Sequence, residues 1–219
     1  MTEAIIFDLG GVLVDLDLKN CIRHFKNILG YGKITDLLDP SHQKGIYSDL
    51  EEGLLKPEEF RKLILSDSRP GTTEHDVDVC MWSLLTRMDD YKVPYLEKLS
   101  ESYDLYILSN NNPISMHRCH EVFTDSGLDY KKVFKEEFIS YSMRLLKPGH
   151  EIFEEVIRRI GIPSGKLLFI DDSLDNVKAA EAAGIPSLHY SQGADLVSQV
   201  DSVLDPPIPG SLAKEESGC

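Results

Sequence analysis

Apolar and polar positions follow two different periods along the chain, and the switches between them mark its elements. Ile5-Ile6-Phe7 is a short apolar run stopped by Asp8 and by Gly10-Gly11, and Val12-Leu13-Val14 is a second run ending at Asp15. This pattern predicts a buried strand, a sharp exit and an extended return. Leu18, Cys21, Ile22, Phe25, Ile28 and Leu29 then fall on one helical stripe closed by Gly30 and Gly32. Helical spacing continues over 44–55, 57–65 and 75–88, with Pro57 placed for a first helical turn. No strand signal interrupts 17–88, where Trp82, Leu84, Leu85 and Met88 read as core rather than as a ligand box.

Strand and helix alternate after that. The pattern predicts helices over 94–102 and 113–123 and strands over 105–108 and 138–140. Lys147-Pro148 precedes an amphipathic helix with Ile152, Phe153, Val156, Ile157 and Ile160 on one face and Gly161 behind it. A strand over 167–170 ends at Asp171-Asp172, a helix follows over 175–183, and 186–190 is a last short strand. This order predicts an α/β fold, a doubly wound parallel sheet, with an inserted helical module. Residues 1–16 and 89–205 would form the core domain, 17–88 a helical cap, and the aperiodic 206–219 a loose tail.

Composition narrows the function classes. At 219 residues, 42% apolar and 27% charged, the chain falls among ordinary globular proteins. A formal charge of -14 argues against a nucleic-acid surface, so any phosphate would have to be held by local groups: a metal ion, a lysine or helix N-termini. Cys21, Cys80, Cys119 and Cys219 are scattered, which suggests reduced thiols. With no apolar leader and no run of membrane length, the expectation is a cytoplasmic protein without a membrane partner. Nothing in the pattern sets an oligomeric state. His117 and His120 share a helix face, yet lack a third ligand and read as an exposed pair.

Four expected strand ends carry polar groups: Asp8, Ser109-Asn110, Lys147 just ahead of a helix, and Asp171-Asp172. In open α/β sheets ligands bind beyond the carboxyl ends of the strands. A carboxylate can attack phosphorus, a hydroxyl and backbone N–H groups can hold phosphate oxygens, and a lysine can offset charge. Two more carboxylates beside Asp8 would repel it unless a hard cation sat among them, and Mg²⁺ fits that need.

With Phe7-Asp8-Leu9-Gly10-Gly11-Val12-Leu13, Leu108-Ser109-Asn110, Leu146-Lys147-Pro148 and Phe169-Ile170-Asp171-Asp172-Ser173, the chain resembles the haloacid dehalogenase superfamily of phosphohydrolases with a helical cap. The resemblance implies a Rossmann-like core, Asp8 as nucleophile, Ser109 and Asn110 as phosphate binders and Lys147 as charge neutraliser. It also implies Mg²⁺ held by Asp8, the Gly10 carbonyl and Asp172, with Asp171 nearby or acting through water. The reaction implied is hydrolysis of a small phosphorylated metabolite, a sugar phosphate among the candidates, through a phosphoaspartyl intermediate. Glu52-Gly53 ahead of Pro57-Glu58-Glu59-Phe60, with Trp82, resembles a bacterial branch that includes an α-D-glucose-1-phosphate phosphatase.

One position departs from the superfamily's usual phosphatase pattern, in which a second Asp two residues after the nucleophile protonates the leaving oxygen. Here it is Gly10. Asp15 is the first candidate to replace it, ahead of Asn111, a cap residue, water or the substrate itself. Without a placed acid, primary alkyl phosphates are expected to react more slowly than aryl or anomeric esters. Two readings compete: a dehalogenase or a phosphonatase, the latter needing a cap lysine such as Lys44, Lys56 or Lys62, and a phosphate-binding or regulatory domain that has lost turnover. Asp171-Asp172 argues against a dehalogenase, which needs no cation. A dinucleotide-binding domain is poorly supported, because Gly10-Gly11 lead into an apolar segment read as extended rather than into a helix and no G-x-G-x-x-G is present.

Overall fold

The computed structural model describes residues 1–38 and 45–204. The start of the expected helix at Lys44, the tail 206–219 and Cys219 lie outside the described residues. Five parallel strands, β1 (Ala4–Phe7), β2 (Asp104–Ser109), β3 (Phe134–Ile139), β4 (Leu167–Asp171) and β5 (Ser187–His189), form one sheet in the order β3-β2-β1-β4-β5. Chain order reverses across β1, which places the end of β1 at the crevice where such sheets hold ligands.

Alternation within the strands explains why both faces are covered. Ile5 and Phe7 of β1 join Leu105, Ile107, Leu168 and Ile170 in one apolar cluster, while Ala4 and Ile6 join Tyr106, Leu108, Leu167 and Phe169 in another. Each fully buried side chain of this size contributes roughly 1.5–3 kcal/mol.

Helices run in the order α1 (Leu18–His24, continued as a π turn over Phe25–Leu29), α2 (Ile34–Leu37), α3 (Ile46–Glu51), α4 (Pro57–Ser66), α5 (Glu74–Trp82), α6 (Lys92–Ser100), α7 (Pro113–Asp125), α8 (Tyr130–Val133), α9 (Ser140–Met143), α10 (His150–Ile160), α11 (Leu174–Ala182) and α12 (Leu196–Asp201). The first sheet face is covered by Leu96 and Leu99 of α6, Met116, Cys119 and Phe123 of α7, and Leu196 and Val200 of α12. Ile152, Phe153 and Val156 of α10 and Ala180 of α11 cover the other. The helices between β1 and α6 have a cluster of their own, with Phe25, Leu29, Phe60, Ile64, Val77 and Met81 at its centre, and Ile114 of α7 reaches into it. Starts are set by local chemistry: the Asp17 carboxylate accepts from Asn20 N–H at 2.8 Å, and Thr73 with Asp76 forms a reciprocal cap at the head of α5.

Several sequence expectations change. Val12-Leu13-Val14 is a tight turn rather than an extended return, because Leu13 N–H and Val14 N–H both donate to the Leu9 carbonyl at 2.9 Å. The helix expected to reach Met88 stops at Trp82, since 84–87 pairs with 15–17: Asp17 N–H donates to Leu84 O, Asp15 N–H to Arg87 O, and Thr86 N–H to Asp15 O. β3 begins four residues earlier than expected, its polar Lys135-Glu136-Glu137 being tolerated on an edge strand. α12 was not expected, although Leu196, Val200 and Leu204 are buried at four-residue spacing. Leu18 is exposed rather than part of the buried stripe.

Cys21, Cys80 and Cys119 are buried free thiols, which burial pushes up to about 12. Among the described residues no helix is long and apolar enough to cross a membrane.

Candidate active site

Three strand ends and one loop bring Asp8, Ser109-Asn110, Lys147 and Asp171-Asp172 together. The Lys147 ammonium donates to Asp8 Oδ1 at 2.8 Å, to Asp171 Oδ2 at 2.7 Å and to the Leu108 carbonyl at 2.9 Å, with its side chain 2% exposed. Burial alone would lower its pKa, but Asp171 and Asp8 outweigh burial and hold it above the ordinary value.

One lysine faces three carboxylates. Oxygens of Asp8, Asp171 and Asp172 lie within 4.8 Å of one another, the one cluster of potential metal ligands among the described residues. Burial pushes Asp8 up, Lys147 pulls it down and Asp171 pushes it up again, leaving it raised from 3.8 to about 7. Asp172 is raised as well, by burial first and then by Asp171.

The three carboxylates are not equivalent. Asp171 accepts from Ser173 N–H at 2.8 Å, from the Asn176 amide at 3.0 and 3.1 Å and from Lys147, so its oxygens are engaged by protein donors. Asp172 is held through its backbone, its carbonyl lying 3.0 Å from His189 Nε2. Its Oδ2 would lie 2.3 Å from a Cβ on Gly11, a residue with φ +82°. An all-oxygen set with this charge fits a hard divalent cation such as Mg²⁺, with Asp8 and Asp172 better placed as direct ligands than Asp171. Gly11→Ala should therefore cost about 1–3 kcal/mol in strain and displace the Asp172 carboxylate, which denaturant unfolding and titration with Mg²⁺ would register together.

Ser109 and Asn110 divide their tasks. Ser109 is buried at the wall of a cavity of about 210 Å³. Asn110 lines the same cavity, and its side chain also clamps the lysine loop: its amide donates to Lys147 O at 2.8 Å and its oxygen accepts from Lys147 N–H at 2.8 Å. Asn111 and Asn112 fix the turn into α7, Asn111 N–H donating to Ser140 Oγ at 2.9 Å and the Asn112 oxygen accepting from Ile114 and Ser115 N–H.

Gly10 and Asp15 are placed differently. Gly10 lines the cavity in a backbone conformation that other residues share, the positive-φ glycine being Gly11. Asp15 does not line the cavity. It lies 3.4 Å from Arg87 Nε and 3.7 Å from Lys92 Nζ, because the ribbon of 15–17 with 84–87 turns it away from Asp8.

Several site residues were not singled out from sequence. Lys92 is a buried lysine whose ammonium donates to Val12 O at 3.0 Å and Leu13 O at 3.3 Å, bracing the turn that follows β1. Nothing in its local sequence separates it from a solvated lysine. Asn176 could have been found from its spacing to Asp171. Tyr47 and Glu51 enter from α3, and Leu84 and Leu85, expected as plain core, form an apolar wall with Leu16. Burial raises the Glu51 carboxyl to about 7, against the hydrogen bond of Tyr47 and the charge of Lys147. His117 is exposed beside Glu121, while His120 is partly buried rather than exposed, stacked on Tyr130 and bonded to Glu137.

The family model described as haloacid dehalogenase-like hydrolase matches residues 2–184, and the chain belongs to that family. Among curated proteins it is 31% identical over 206 residues to D-ribitol-5-phosphate phosphatase of Bacteroides thetaiotaomicron, covering 94% of this chain and 100% of the relative. Among solved structures it is similar to a HAD family enzyme of the same organism in complex with magnesium and inorganic phosphate, with a TM-score of 0.83, 34% identity, and coverage of 89% of this chain and 97% of that one. An L-2-haloacid dehalogenase at 19% identity and a TM-score of 0.58, covering 85% of each chain, shares the fold.

Proposed function

We propose that this hydrolase is a Mg²⁺-dependent phosphatase of small polyhydroxylated phosphomonoesters, acting through a phosphoaspartyl intermediate on Asp8. The observation that carries this reading is the Lys147 ammonium bridging Asp8 and Asp171 beside Asp172, a charge arrangement suited to a nucleophile, an anionic substrate and a divalent cation. Lys147 keeps Asp8 aligned and offsets its charge. Ser109 and the backbone N–H groups at the end of β2 would receive phosphate oxygens. Asp8, Asp172 and the Gly10 carbonyl would hold the cation, with Asp171 acting through water, and the bound cation would offset the negative charge of carboxylate and phosphate. Residues 17–88 serve as the cap that selects the substrate and excludes water, on a core of 1–16 and 89–205.

The curated relative acts on ribitol 5-phosphate by name, and that similarity supports a polyol or sugar phosphate substrate here. It points toward primary esters as much as toward the anomeric ester suggested by the glucose-1-phosphate resemblance. Against the phosphonatase alternative, Lys56 and Lys62 are exposed and neither lines the cavity.

Assay of D-ribitol 5-phosphate, α-D-glucose 1-phosphate and p-nitrophenyl phosphate tests the reading. Hydrolysis should require Mg²⁺ and vanish with chelator, and Asp172→Ala should weaken Mg²⁺ binding by at least about tenfold. Full activity in chelator would refute it. Phosphate and Mg²⁺ binding without turnover of any ester would move the protein to the binding-domain reading.

A further inference from the structure

We propose that Glu51, reaching the site from α3 of the cap, protonates the leaving oxygen and then takes a proton from the attacking water, supplying what Gly10 cannot. The inference rests on the phosphatase reading above and deepens it. Among the described residues that line the cavity, only Asp8 and Glu51 carry carboxyl groups. Asp8 is the nucleophile, Asp15 lies outside the cavity and Asp171 is engaged by Lys147, Ser173 and Asn176. An in-line displacement places the leaving oxygen on the side of phosphorus away from the attacking one. With Asp8 on the sheet, that direction leads toward the cap.

Glu51 is held where such a group has to stay. Its carbonyl accepts a hydrogen bond from Ser140 Oγ at 2.6 Å, and the same hydroxyl receives Asn111 N–H at 2.9 Å, so one serine ties the end of α3 to the loop after Ser109. Gly53, two residues on, has φ +72°, and a Cβ there would lie 2.3 Å from the Tyr141 carbonyl. This contact admits only glycine and seats the turn behind Glu51 against α9. The Glu51 side chain hydrogen-bonds with Tyr47, and burial, which raises it to about 7, keeps a protonated fraction available near neutral pH.

The steps balance. As Asp8 Oδ bonds to phosphorus, the ester P–O bond breaks and the Glu51 proton passes to the departing alkoxide, giving alcohol, phosphoaspartate and a Glu51 carboxylate. Water then attacks phosphorus while Glu51 takes its proton. The P–O bond to Asp8 breaks, inorganic phosphate leaves, and both carboxyl groups return to their starting states.

The test compares Glu51→Gln with wild type on an alkyl ester, D-ribitol 5-phosphate, and on p-nitrophenyl phosphate, whose leaving group departs without protonation. The expected result is a fall in kcat/KM, which covers steps only up to departure of the alcohol, of about 10²–10⁴ on the alkyl ester and of less than about fivefold on the aryl ester, with Mg²⁺ binding and circular dichroism unchanged. A second measurement needs no variant: across a series of leaving groups the wild type should show a shallow dependence of kcat/KM on leaving-group pKa. Equal losses of kcat/KM on both esters, a rise in KM with kcat unchanged, or a steep leaving-group dependence in wild type would overturn the assignment while leaving the phosphatase reading intact. A wild type that hydrolyses neither ester would overturn both.

Discussion

Asp8→Asn is expected to abolish turnover while leaving the protein folded, and in chelator at pH 8 at least as stable as wild type. The amide nearly matches the carboxylate in size and can still accept from Lys147 through its oxygen, but it cannot form an acyl phosphate. Loss of a hydrolase nucleophile costs on the order of 10⁶ in kcat, so no phosphate should be trapped on the chain when a reaction is quenched for mass spectrometry. The stability side follows from the pKa. Asp8 is raised from 3.8 to about 7, so the folded state binds its proton more tightly than the unfolded chain does. That contribution is fully present below about 3.8 and is lost as pH rises through about 7. At pH 8 the charged form is a burden on the metal-free fold, and a neutral isostere removes it. Residual turnover in the variant, or a marked drop in its chelator stability, would contradict the nucleophile assignment and the charge account respectively.

Lys147→Met is expected to produce the largest loss of stability, because it keeps the apolar stem and deletes the one ammonium between two buried carboxylates. Removing one partner of a buried ion pair costs about 3–5 kcal/mol, since an uncompensated charge is left behind. The sign with pH is opposite to that of an ordinary acid-labile salt bridge. Protonation of Asp8 relieves the unpaired charge, so the deficit should be greatest at pH 8 and shrink toward pH 5. Urea unfolding of both proteins in chelator at the two pH values measures this directly. A deficit that does not depend on pH would mean that packing, rather than charge, governs the loss. Activity should disappear at either pH, as Asp8 loses the ammonium that orients it.

Much of this architecture was visible before any coordinates. The Ile5-Phe7 and Leu167-Ile170 runs are apolar on both faces because helices cover both sides of a parallel sheet, and such runs are hard to mistake. Asp8, Asp171 and Asp172 could be found because they end strands, and Lys147 because it stands just ahead of an amphipathic helix; the fold gathers all four. Asp15 lies off the cavity for a different reason: nearness in sequence to Asp8 says nothing about direction, and pairing across 71 residues with Thr86 holds it elsewhere. Glu51 was hidden inside Asp49-Leu50-Glu51-Glu52, which reads as a solvated acidic run. Only the packing of that helix end on Ser140 and Tyr141 separates it from its neighbours. Lys92 escaped likewise, since its burial depends on the turn over Val12 and Leu13 that the apolar pattern had suggested was extended.

The ribbon formed by 15–17 and 84–87 carries a mechanical consequence. The chain enters and leaves the helical module through these two segments, and three backbone hydrogen bonds with the Leu16–Leu85 bridge join them side by side. Two separate tethers would let the module twist and slide over the sheet. A paired strap resists both and leaves bending across its width as the soft motion. Leu16, Leu84 and Leu85 sit on that strap and on the cavity wall alike, so a bend of the strap would reshape the cavity itself.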